Sequence, residues 1–175
     1  MKEINAGLIT ETVRRLCIEA NYCLPEDIRE RISRCRGCEP WEPAGEILDR
    51  IIENYRIAEE YGTPICQDTG AACVFLELGQ EAHVTGDLTD AVNEGVRRGY
   101  SDGYLRKSIV GDPINRVNTG DNTPAMIYYD IIPGERIRIT VAPKGFGSEN
   151  MSRIKMLKPS DGLAGVKNFV INTVE

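Results

Sequence analysis

The string Pro64-Ile65-Cys66-Gln67-Asp68-Thr69-Gly70 sets a thiol, an amide, a carboxylate and a hydroxyl side by side ahead of a glycine. A thiolate binds soft metals and a carboxylate moves protons, so such a loop feeding a strand can aim both groups into one cleft. The same residues also read as a polar turn in which Asp68 and Thr69 cap local backbone groups. A second candidate is Lys144-Gly145-Phe146-Gly147-Ser148-Glu149-Asn150. Its glycines let backbone N–H groups turn inward as an anion nest, which Lys144 and Ser148 would strengthen. The spacing is that of neither a Walker loop nor a dinucleotide fingerprint, so a nucleotide is disfavoured and a carboxylate fits as well as a phosphate.

Three further strings carry polar chemistry. In Tyr104-Leu105-Arg106-Lys107-Ser108, Arg106 reads either as a bidentate clamp for a carboxylate or as half of a solvated surface pair with Lys107. Asn118-Thr119-Gly120-Asp121-Asn122-Thr123-Pro124 is an ordinary loop or a hydrogen-bonding shelf for a polar small molecule. Cys35-Arg36-Gly37-Cys38 has the spacing of half a zinc knuckle or of a redox pair, yet His83 is the only histidine and no second such pair exists. His83 reads as structural, and Cys17, Cys23 and Cys73 as core.

The elements that must position these groups follow from periodicity. Ile4, Leu8, Ile9, Val13, Leu16, Cys17 and Ala20 recur at helical steps and predict one amphipathic helix. Pro25, Glu26 and Asp27 suit the start of a second, and Ile47 to Ala58 a third that Gly62 and Pro64 stop. Residues 72–78 form a strand too apolar for an exposed edge. Thr85 to Asp87 cap a helix ending near Gly99. Ala125 to Ile132 and Arg136 to Val141 read as a strand pair around Pro133-Gly134, and Asp161 to Glu175 as a last helix. The expected fold is therefore α+β or α/β: a helical layer over residues 1–62 packed on a mixed sheet with flanking helices over residues 63–175, all one domain. No stop signal follows Val174-Glu175, which is the pattern expected of a chain cut from something longer.

Composition narrows the function classes. The 175 residues suit about one domain, on a prior of roughly 150 residues each. With 21 basic and 27 acidic residues the net charge is −6, which lacks the field of a nucleic-acid or anionic-membrane binder. Apolar runs fall far short of the ~20 residues a bilayer needs, and the amino terminus lacks the features of a secretory signal. The expected location is therefore cytoplasmic, where the six cysteines stay reduced, bind metal or pack as small hydrophobes.

Taken in order, PICQDTGAACVFLELGQ, GVRRGYSDGYLRKSIVGDP, NTGDNTPAMI and PKGFGSENMSRIKMLKPSDG resemble the amino-terminal part of the class I fumarate hydratase α subunit. The α subunit of iron–sulfur L(+)-tartrate dehydratase is a sister in the same family. The resemblance implies a hydro-lyase, dependent on a 4Fe–4S cluster, that interconverts fumarate and (S)-malate or dehydrates L-tartrate. Cys66 would be one of three cysteine ligands, leaving one iron free to act as a Lewis acid on a small dicarboxylate. Asp68 would assist proton transfer, with Thr69 beside it. Gln67 and Gly70 would shape the pocket, Arg106 would face a substrate carboxylate, and Lys144, Gly145 and Gly147 would contribute to binding it. The other two ligands are expected beyond residue 175, and a β subunit or carboxy-terminal domain would supply further catalytic groups in a homo- or hetero-oligomer. The chain alone would then be inactive. A non-catalytic paralogue or fragment that only binds a partner subunit is the alternative outside enzyme chemistry.

Overall fold

The computed structural model describes residues 2–147 and 151–175, which fall into two units, Met1–Gly145 and Phe146–Glu175. In the first unit the order is β1 (Lys2–Asn5), α1 (Ala6–Tyr22), α2 (Glu26–Cys38), α3 (Glu42–Tyr61), β2 (Ala71–Gly79), β3 (Ala82–Thr85), α4 (Leu88–Asp102), β4 (Met126–Ile132) and β5 (Ile137–Lys144). The second unit holds a short 3-10 turn, Pro159–Asp161, and α5 (Gly162–Val174). The class is α+β with a mixed sheet, as the periodicity implied.

That sheet has the order β4-β2-β5, with β4 parallel and β5 antiparallel to β2. The expected pairing of β4 with β5 around Pro133-Gly134 does not occur. The two strands are antiparallel neighbours in sequence that β2 has split apart. The reason is burial: Ala72, Val74 and Leu76 are almost fully enclosed, so β2 takes the centre and leaves both edges to more polar strands. Their short connection crosses the end of β2, where the backbone N–H groups of Gly79, Gln80 and Glu81 donate to the carbonyls of Arg136, Ile132 and Gly134.

Helices α1 and α4 share one hydrophobic core with the inner side chains of β2, including Val13, Cys17, Val92, Val96 and Tyr100. Each fully buried aliphatic side chain of this set contributes about 1.5–3 kcal/mol. Both helices begin on a cap: the Asn5 carboxamide accepts from Gly7 N–H at 2.7 Å, and the Asp87 carboxylate from Asp90 N–H at 2.8 Å. Two expectations shift here. Ile4 belongs to β1, which pairs parallel to β3, and not to the first helix. Helix α4 passes Gly99 and runs to Asp102, because glycine is needed there for contact rather than termination.

A methyl group on Gly95 would lie 2.7 Å from the Thr10 carbonyl oxygen and 2.7 Å from Val13 Cβ; one on Gly99 would lie 2.8 Å from Cys17 Cβ. These glycines let α4 cross α1 at backbone distance. The α2–α3 pair is held differently. Helix α2 buries no residue, and salt bridges of 2.8 Å (Arg29–Glu59) and 2.9 Å (Arg36–Asp49) link it to α3. Cys17 is buried as expected, but Cys23 and Cys73 are only partly enclosed, since Cys73 faces the uncovered side of the sheet beside Phe75 and Tyr128.

Gly95→Ala should lower stability by about 1–2 kcal/mol, because overpacking against a backbone carbonyl outweighs the roughly 1 kcal/mol gained in helix propensity. Gly37→Ala, in α2 with nothing within 4 Å of the added atom, should raise it by up to about 1 kcal/mol. Urea midpoints with unchanged slopes check both.

Candidate active site

Strand polarity gathers the candidate groups. Because β2 and β4 are parallel, the loops preceding them emerge at the same end of the sheet. The antiparallel β5 finishes there too, with Lys144 opposite Ala71. So the loop 66–70, the loop 118–125 and the Lys144-Gly145 pair meet at one sheet end, with the segment after α4 alongside.

Close backbone approach holds the first of these contacts. Gly70 adopts φ +60°, and a Cβ there would sit 2.1 Å from the Lys144 carbonyl oxygen, so no other residue fits. A Cβ on Gly145 would lie 2.8 Å from Asp68 Oδ2, which places the Asp68 carboxylate directly against the Gly145 backbone. The Cys66 thiol is exposed, and its sulfur accepts from the Asp68 backbone N–H at 3.5 Å while lying 3.9 Å from Gln67 Oε1. Cys66, Gln67, Asp68, Gly70, Lys144 and Gly145 thus form one neighbourhood. A thiol that reaches solvent beside a carboxylate can serve as a soft metal ligand once deprotonated.

Thr69 turns the other way. It is 2% exposed, and its hydroxyl donates to the Arg106 carbonyl at 3.0 Å. The Tyr100 hydroxyl donates to the Thr69 carbonyl at 2.9 Å, and burial pushes that phenol far above its ordinary range. Arg106 therefore has its backbone fastened to the 66–70 loop while its side chain stays exposed. Gly147 belongs to the second unit. Ser148, Glu149 and Asn150 lie outside the described residues.

Several polar side chains of the loop 118–124 reach the backbone of other segments. Asn118 Nδ2 donates to the Lys107 carbonyl at 2.9 Å, and Thr119 Oγ1 donates to the Ile109 carbonyl at 3.3 Å. Asn122, fully buried and at φ 63°, makes three such bonds, and sequence reasoning did not single it out. Its signal was available: Asn is among the few residues that tolerate the left-handed region, and a glycine two positions earlier marks a sharp turn. Cys35 and Cys38 are exposed at the end of α2, and His83 is exposed on β3. Among the described residues no three of His, Cys, Asp and Glu gather as a metal-binding group, so Cys66 could serve only as one member of a larger ligand set. Burial alone pushes the Cys17 thiol up to about 12, which makes it an inert core residue.

Asp121 anchors the base of this loop. Burial works against its charge. The backbone N–H and hydroxyl of Thr123 (3.0 and 2.8 Å) and Arg97 Nε (3.0 Å) outweigh that and hold the carboxyl at about 2. Below about pH 4 the unfolded chain protonates this group. The folded chain does so only near pH 2, so its contribution is full above the first value and lost towards the second. Asp121→Asn should therefore cost about 1–2 kcal/mol at pH 6, and the gap from the unsubstituted chain should narrow below about pH 4 and be mostly gone near pH 2 in urea titrations across that range.

Among the described residues, no helix is long and apolar enough to cross a membrane. The chain is 40% identical over 173 residues to a Methanocaldococcus jannaschii protein provisionally named an L(+)-tartrate dehydratase subunit alpha, which covers 95% of this chain and 60% of that protein. It is 28% identical over 177 residues to the L(+)-tartrate dehydratase subunit alpha of Escherichia coli K12, covering 99% of this chain and 58% of that one. The chain thus spans about three-fifths of the length of these relatives. The family model described as fumarate hydratase (Fumerase) matches residues 10–175, which takes in the Cys66 loop, Arg106 and the Asn122 loop together. The chain belongs to the fumarate hydratase (Fumerase) family.

Proposed function

We propose that this chain is the α-type part of an iron–sulfur hydro-lyase that adds water to, or removes it from, a four-carbon dicarboxylate. The observation that carries the reading is the exposed Cys66 thiol beside Asp68, packed against the Gly145 backbone, in a chain of this family. Fumarate and (S)-malate are the pair that the family description favours. L-tartrate is supported at least as well by the names of the relatives.

In this reading Cys66 is one of three thiolate ligands of a 4Fe–4S cluster, and the remaining ligands and a β subunit or carboxy-terminal domain come from outside these 175 residues. The cluster, when bound, supplies a Lewis acid that polarises the substrate's hydroxyl and carboxylate. The chain's own groups do the rest. Asp68 carries the proton at its carboxylate, where the Gly145 backbone limits its movement. Arg106 pairs with a substrate carboxylate through its exposed guanidinium, and Lys144 adds positive charge at the same sheet end. Thr69 acts through Arg106, by holding that residue's backbone carbonyl. Gln67 and Gly70 shape the pocket between them.

The test is an anaerobic assay of the chain with its β-type partner on fumarate, (S)-malate and L-tartrate. Turnover of one substrate pair is expected, with Asp68→Asn lowering kcat by about 10²–10⁴-fold while iron and sulfide content stays unchanged. Cys66→Ser should lose that content. The chain without its partner should neither retain a stable cluster after reconstitution with iron and sulfide nor turn over substrate. Full activity in Asp68→Asn, or after removal of iron by a chelator, overturns the reading.

A further inference from the structure

The three hydrogen bonds of the Asn122 side chain all join loops, and none of them belongs to a helix or a strand ladder. Its Oδ1 accepts from the backbone N–H of Ser108 at 2.7 Å and of Ile109 at 3.3 Å. Its Nδ2 donates to the Gly70 carbonyl at 3.1 Å. One carboxamide therefore spans from the residue that closes the Cys66–Gly70 loop to the residues just after Arg106. No other side-chain pattern serves this place as well: two N–H donors on one side and a carbonyl acceptor on the other require a group that accepts and donates at once. Asn122 has no exposure to solvent, so water does not replace any of these bonds if they are lost.

We propose that Asn122 is the positioning residue of the candidate site, setting the separation of Cys66 and Asp68 from Arg106 through these bonds. It touches neither substrate nor cluster in this assignment. What the two loops do depends on the hydro-lyase reading above, but the clamp between them does not. A residue that only stabilised its own loop would bond within residues 118–124. Asn122 instead reaches 14 residues back to Ser108 and 52 residues back to Gly70. Thr69 and Tyr100 run alongside it, tying the Arg106 carbonyl and the Thr69 carbonyl, so the clamp has two parallel strands of hydrogen bonds.

Asn122→Gly removes the Asn122 strand of the clamp while keeping a residue suited to φ 63°. Backbone amide hydrogen exchange is read on the 175-residue chain well below its melting temperature. Exchange should rise at least tenfold at Ser108 and Ile109, and also across the clamp at Asp68, whose N–H donates to Cys66 Sγ within the Cys66–Gly70 loop. The control is Thr10→Val, which removes a buried hydroxyl bond of 3.0 Å to the Ala91 carbonyl. It should loosen α1 and α4 and leave those three amides protected. Protection at Asp68 unchanged in Asn122→Gly overturns the proposal, because Asn122 would then support only one loop.

Should the glycine variant fail to fold, Asn122→Asp decides the same point. Its protonated carboxyl restores the donor to Gly70, so Asp68 protection, relative to the unsubstituted chain, should be near normal at pH 4 and lost at pH 8. Protection indifferent to pH overturns the clamp. In the assembly with the β-type partner, Asn122→Gly should lower kcat/KM by about 10²-fold, as misplacement by about an ångström does, and Thr10→Val should change it little. Equal effects of the two substitutions on kcat/KM overturn the positioning role. An unsubstituted assembly with no dicarboxylate turnover counts against the hydro-lyase reading instead, and the exchange measurements still decide the clamp.

Discussion

Buried backbone polar groups at the end of a sheet must find partners inside the protein, and this constraint shapes everything near Cys66. Leaving one such group unsatisfied costs about 1–3 kcal/mol, and several loops meet here with no regular secondary structure to pair them. Side chains of Asn122 and Thr69 supply missing bonds by reaching from one loop to the backbone of another, and Tyr100 supplies one from α4. The groups left facing outward are the Cys66 thiol, which keeps its contact with the Asp68 N–H, and the side chain of Arg106. A loop that presents a thiol to solvent is stiffened from behind.

The same logic extends down into the core. Tyr100 is the link, with its ring among the side chains that α4 packs beneath the sheet and its hydroxyl on the Thr69 carbonyl. Its position depends on how closely α4 crosses α1, which Gly95 and Gly99 permit. Helix packing at backbone distance therefore sets the height of a phenol oxygen that in turn holds the Cys66–Gly70 loop. By contrast, α2 contributes no buried residue and is tied to α3 by ion pairs at the surface. The Cys35 and Cys38 thiols lie out on that helix, on a different element from the loops that converge on Cys66.

Much of this arrangement was legible beforehand. The amphipathic stripes of α1 and α3, the Asp87 cap of α4 and the buried character of β2 follow from local periodicity, because each is fixed by residues within a few turns of one another. The Cys66–Gly70 string stood out since reactive side chains rarely crowd together without an intervening apolar residue. Asn122 did not stand out. A carboxamide in a polar loop has the same local signature whether it faces water or three backbone groups far away in sequence. Thr69 looked like a neighbour of Asp68 in function as well as in sequence, yet its hydroxyl faces inward to Arg106.

Strand pairing divides what the chain states locally from what only folding decides. The amino-acid sequence determines that residues 72–78, 125–132 and 136–141 are extended and that the Pro133-Gly134 turn lies between two strands, because extended propensity and turn chemistry are properties of a few adjacent residues. Whether those two strands pair with each other is not such a property. It rests on competition for the buried centre, which β2 wins by having the most apolar inner face. From that one outcome come the parallel pairing of β2 with β4, the antiparallel return of β5, and the meeting of the Cys66, Lys144 and Asn122 loops at one sheet end. Burial is a sum over the whole chain, and so the site's composition can be read from residues in a row while its assembly cannot.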